Sequence, residues 1–129
     1  MQAWFSIEQA TPANGITTSL LREMLEIWCE KDLLWVLREP ASAPSLWEQV
    51  NRDLSGRLTT LWAKGFLQGA TRKEGFYVRC DETTMTPNDI HNGRMICEVG
   101  VAPVAPGEFA VFRIRFQLRS HAVNVLSAK

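Results

Sequence analysis

Within residues 109–119, the run from Phe112 to Arg119 alternates between apolar and polar side chains without a break. Phe112, Ile114, Phe116 and Leu118 fall on one side, and Arg113, Arg115, Gln117 and Arg119 on the other. A period of two is that of a β-strand with one buried and one wet face. Such a strand requires partner strands and a layer that covers its apolar side.

Two segments supply the period of a covering helix. Leu21, Met24, Leu25 and Trp28 mark a stripe that predicts a helix over residues 19–31. Trp47, Val50, Leu54, Leu58, Leu61 and Trp62 recur at steps of three and four and mark a second. Ser45 and Glu48 have the spacing of a capping box at its start, and Gly65 suits a left-handed stop at its end. Between the two helices, Leu34 to Leu37 is an apolar run long enough only for a buried strand, ended by Glu39-Pro40.

Further strands are expected over residues 76–80 and 95–104, with one helical turn in the polar stretch 87–92. Trp4, Phe5 and Ile7 mark a short strand or arm at the start. The expected fold is α+β. It is a single small domain with a mixed or antiparallel sheet, two main helices packed on one face, and extended terminal arms. Residues 1–15 read as an N-terminal strand or arm, 16–119 as the domain and 120–129 as a C-terminal tail.

A chain of 129 residues with 46% hydrophobic and 22% charged residues can bury a core of its own. Acidic and basic residues balance at 14 each, where a nucleic-acid binder usually carries a basic excess. Residues 1–10 lack the basic start, apolar stretch and cleavage site of a signal peptide, and no apolar run approaches the length of a membrane span. The three cysteines, Cys29, Cys80 and Cys97, are not closely spaced. They read as buried free thiols of a reducing compartment.

No constellation points to catalysis. His91 and His121 have no second ligand at metal-binding spacing, so neither a metal nor a cofactor is expected. Asp81, Glu82 and Asp89 share a loop whose spacing does not fit a calcium site and suits turn capping. No G-x-S-x-G occurs, and the glycines Gly65, Gly69 and Gly75 are too widely spaced to cradle a phosphate. Trp28, Trp35, Trp47 and Trp62 read as core, and Trp4 has no assigned core face. With the arginine face, Trp4 leaves a single-stranded nucleic-acid-binding module as one alternative.

Several stretches resemble the C-terminal domain of contractile phage tail sheath proteins. They are Leu67-Gln68-Gly69-Ala70-Thr71, preceded by Leu61-Trp62; Phe76-Tyr77-Val78-Arg79-Cys80-Asp81-Glu82-Thr83-Thr84-Met85-Thr86; Asp89-Ile90-His91-Asn92-Gly93-Arg94-Met95-Ile96-Cys97-Glu98-Val99-Gly100-Val101-Ala102-Pro103-Val104; and Pro106-Gly107-Glu108-Phe109-Ala110-Val111-Phe112-Arg113-Ile114. Trp35 to Pro40, followed by Leu46-Trp47, is a weaker match to the family's W-V-V-F-E-P. Together they span residues 20–114.

The resemblance implies a structural, non-enzymatic subunit of a contractile tail sheath or a sheath adaptor. Such a subunit is built in the bacterial cytoplasm and then carried in a phage tail or phage-like particle. Its implied partners are other sheath subunits, an inner tube protein and baseplate proteins, in a homo- or hetero-oligomer. No nucleic acid and no membrane insertion enter. Neighbours are joined by strand addition. Trp4, Phe5, Ile7, Phe112, Arg113, Ile114, Arg115, Phe116, Leu118 and Arg119 are the expected interface residues, with residues 115–126 lying against another chain. The chain departs from the family in two ways. Sheath subunits carry outer domains before this one, so it is either an excised piece or a small separate protein. It also runs on from Arg115 to Lys129 where the family tends to end. A remnant prophage domain that no longer assembles is a further reading.

Overall fold

The structure, a computed structural model, describes residues 4–11 and 15–118. Among these residues four strands form one antiparallel sheet: β1 (Phe5–Gln9), β2 (Phe76–Arg79), β3 (Arg94–Val101) and β4 (Ala110–Gln117). Their order is β1-β4-β3-β2. The alternating segment is thus a central strand, flanked by β1 and β3. Phe112, Ile114 and Phe116 are wholly buried, Leu118 nearly so, and Arg113, Arg115 and Gln117 lie on the exposed outer face. Burying each large apolar side chain contributes about 1.5–3 kcal/mol, which fixes the strand's facing.

Helix α1 (Ile16–Ile27) and helix α2 (Pro44–Ala63) share one core cluster with the inner face of the sheet. Leu21 and Leu25 of α1 meet Val50, Leu54 and Leu58 of α2 in that cluster, with Met95, Cys97 and Val99 of β3. Two single-turn helices, α3 (Arg72–Gly75) and α4 (Pro87–His91), lead into β2 and β3. The expected α+β class, with an antiparallel sheet, is what forms.

Three local expectations are corrected. Leu34–Arg38 is a 3₁₀ helix, not a strand. Its one buried position, Val36, lies three residues after the buried Leu33 that precedes the helix, while Leu34 and Trp35 are 52% and 40% exposed. A four-residue apolar run carries no period that separates these cases, and Trp35 is not core. Second, α1 begins at Ile16, three residues before the expected start at residue 19, and ends in one π-helical turn, Trp28–Asp32. Third, Ser45 does not cap α2. Pro44 takes the first helical position and Ala43 the cap, with no side-chain cap bond. Proline's fixed φ suits that first position, which places Ser45 inside the helix.

The stop at Gly65 forms as expected. Gly65 has φ 86°. Its N–H donates to Trp62 O and that of Phe66 to Leu61 O, both at 3.0 Å, the paired bonds of a Schellman ending. Reciprocal capping occurs instead at α3, between Thr71 and Glu74, and at α4. There the Thr86 hydroxyl accepts from Asp89 N–H at 3.0 Å, and the Asp89 carboxylate accepts from Thr86 N–H at 2.9 Å.

Candidate interaction surfaces

The cysteines are too deep to act as nucleophiles. Cys29 and Cys97 are fully buried and Cys80 nearly so, all as free thiols. Burial, helped by Glu26, pushes the Cys29 thiol up to about 12. Burial and then the neighbouring Cys80 thiol push that of Cys97 well above its ordinary range. Protonated thiols are poor nucleophiles and poor ligands. Among the described residues no group of three His, Cys, Asp or Glu could hold a metal ion. Asp81 and Asp89 serve as turn braces. Asp81 accepts from the Thr83 hydroxyl and N–H, and Asp89 from Thr86 and from Arg94 at 2.9 Å. These bonds hold both carboxylates below their usual range.

Two surfaces remain. The first is the outer edge of β1, which pairs with no other strand among the described residues. Trp4 O and Ala10 N bond to β4, so by antiparallel alternation the backbone groups of Phe5, Ile7 and Gln9 point outward. Arg22 of α1 already donates to the outward Ile7 O at 3.0 Å. Between this edge and α1 runs a groove of about 390 Å³, lined by Phe5, Ile7, Ile27 and the carboxylates of Glu23, Glu26 and Glu30. Acids toward the C-terminal end of a helix oppose its dipole, so the helix gains nothing from this row. Beside it, Ile16, Leu20 and Ile27 are 81%, 53% and 50% exposed. Sequence reading missed this edge because it depends on which strand borders which. The glutamates alone resemble any solvated helix face.

The second surface is the outer sheet face. Register aligns two rows of side chains across β3, β4 and β1. One is Glu98–Arg113–Glu8 and the other Ile96–Arg115–Ser6. Glu98 is a hub. It accepts from Tyr77 Oη at 2.6 Å and Arg79 at 3.0 Å, and lies 3.8 Å from Arg113. Burial raises its pKa, but the Tyr77 bond and the arginines outweigh this and hold it below the ordinary value.

The expected interface residues therefore separate. Phe112, Ile114, Phe116 and Leu118 are spent on the domain's own core. Both edges of β4 are taken by β1 and β3, so residues 115–117 pair within the chain. Ile7 is buried, and Phe5 is half-buried against the same core. Trp4, left without a face by its sequence, packs its ring 5.5 Å from those of Phe116 and Phe5. Arg113 and Arg115 are exposed. Arg119, His121 and the tail 120–129 lie outside the described residues.

No protein-family model matches the chain, and no curated protein matches it. Solved structures do. A chain of the anti-feeding prophage (AFP) baseplate, seen by cryo-EM with 6-fold symmetrisation, is 34% identical over 69% of this chain, with a TM-score of 0.60. A chain of the PVC sheath complex, an extracellular contractile injection system in its contracted state, is 32% identical over 69%, also with a TM-score of 0.60. This chain spans 25% of the length of each. In sequence and in fold, it is related to structural components of contractile injection systems.

Proposed function

We propose that this chain is a structural subunit of a contractile sheath, or an adaptor between sheath and baseplate, that joins its neighbours by strand addition at the open edge of β1. The observation that carries this reading is that edge itself: the side of β1 away from β4, which pairs with no strand among the described residues, next to an acidic, partly apolar groove. An uncovered edge is a hydrogen-bonding template, and the acidic wall favours an incoming strand with basic residues. Residues 119–129 contain Arg119, His121 and Lys129 and no acidic residue. In this reading they form the strand that one copy offers to the next. Sheath subunits, tube and baseplate proteins are the proposed partners, and assembly takes place in the cytoplasm before the particle is complete. The same acidic wall weighs against a nucleic-acid strand in the groove.

The test removes residues 119–129. A cut after Ile114 would take Phe116 and Leu118 out of the core, so the boundary must follow Leu118. The expected result is an unchanged denaturant midpoint together with loss of self-association by light scattering and of ordered assemblies by electron microscopy. Normal assembly of the shortened chain would overturn the reading.

A further inference from the structure

The two rows across the outer sheet face differ in charge balance. Arg113 stands between two carboxylates, Glu98 and Glu8. Arg115 stands between Ile96 and Ser6, and among the described residues no carboxylate lies at ion-pairing distance from it. Arg115 lines a groove of about 410 Å³ that is shared with Glu8, Glu98 and Arg113 of the other row and bounded by the loop of residues 83–86.

That wall is held in place. The Thr84 hydroxyl donates to Ile96 O at 2.6 Å, next to Arg115 in the row. The Thr83 and Thr86 hydroxyls are tied to Asp81 and Asp89. A groove with a fixed rim loses little freedom when it is filled. Within it Arg115 offers a planar, five-donor cation with no ion pair among the described residues, the geometry that matches a carboxylate in bidentate fashion.

We infer that this groove docks a single acidic side chain of a partner protein, with Arg115 as its anchor. Charge selects that occupant. A polyanion such as a nucleic-acid strand would bring its next phosphate onto the row of Glu8 and Glu98, where the two carboxylates repel it. A lone Asp or Glu on Arg115 stays one row, about 6.8 Å along the strand, from those two carboxylates of the same groove. The site occupies the face of the sheet rather than its edge, so its filling and strand addition at β1 can be measured separately.

The experiment is an NMR titration of the full chain with a blocked Gly-Glu-Gly peptide, following the Arg115 Nε–H and the Thr84 and Ile96 amides. Blocked Gly-Lys-Gly and inorganic phosphate serve as comparisons. The expected result is saturable shifts at those groups with the glutamate peptide and none with the lysine peptide. Arg115→Gln abolishes the shifts while the rest of the amide spectrum is retained. Arg115→Lys weakens them without abolishing them, and Glu8→Gln strengthens them by removing a neighbouring negative charge. Absence of saturable shifts in the full chain, their survival in Arg115→Gln, or equal shifts from phosphate at lower concentration would each overturn the inference.

Discussion

The ring of Tyr77 occupies the space where a Cβ on Gly100, its cross-strand partner, would stand: such an atom would lie 2.1 Å from Cε2 of the ring. The same ring meets Phe109 edge-on, with centroids 5.1 Å apart. Gly100→Ala must therefore displace the ring and disturb both contacts. A loss of roughly 1–3 kcal/mol is expected, the range for overpacking. Denaturant melts of Gly100→Ala in the wild-type and Tyr77→Ala backgrounds should show that most of this loss needs the ring. An equal loss in both would place its origin elsewhere.

Tyr77 also reports on its bond to Glu98. Burial first, then the bond to Glu98, pushes its hydroxyl up to about 12 from 10.0. Because the folded pKa is the higher one, the neutral phenol's contribution to stability is complete below about pH 10 and is lost as pH rises through the folded value. It is the chain's sole tyrosine, so ultraviolet titration reads it without overlap. A midpoint near 12 is expected, falling toward 10 in Glu98→Gln.

Glu98 has the opposite sign. Its lowered pKa supplies stability above its ordinary value of 4.5, lost as pH falls through the folded value. Melts across the acid range should therefore show a smaller acid-side loss in Glu98→Gln than in the wild type.

Thiol accessibility tests the core. Native labelling of Cys29, Cys80 and Cys97 should be slow at all three, since all are buried and a buried thiol is closed to the reagent. In denaturant, three equivalents should react at once. Fast native labelling of one residue would show that its strand or helix faces the other way.

Helix starts can be ranked by mutation. Thr86→Ala removes a reciprocal cap and should cost about 1 kcal/mol. Ser45→Ala lies inside α2 and makes no cap bond, so its cost should stay within about 0.5 kcal/mol. Trp62→Ala should cost more than either, about 3 kcal/mol. Its indole N–H donates to Gly69 O at 3.0 Å, and its ring fills the space a Cβ on Gly75 would need.

Much of the fold was legible because two periods dominate the chain. The alternation through Phe112, Ile114 and Phe116 and the stripe from Trp47 to Leu61 both landed as read. Leu34 to Leu37 was not legible, since four apolar residues show no period. Ser45 misled because its spacing to Glu48 is that of a box, while Pro44 sets the helix start two residues earlier. For the surfaces, sequence named Arg115 but could not show that it differs from Arg113. That difference lies in the cross-strand neighbours, Ile96 and Ser6 against Glu98 and Glu8, which only the register defines.

The strand order has a consequence for the timing of synthesis. Thr11 Oγ1 accepts from the N–H of Val111, a residue 100 positions later, and Phe5 pairs with Phe116. The first strand made must wait for the last before it has a partner. Until β4 leaves the ribosome, β3 and β1 each present an unpaired edge, and the apolar faces of both helices have only part of the sheet to cover them. Closing so long a loop is slow. The domain thus completes its sheet after translation of β4 rather than during it, and the interval before that is when the chain is most exposed to aggregation.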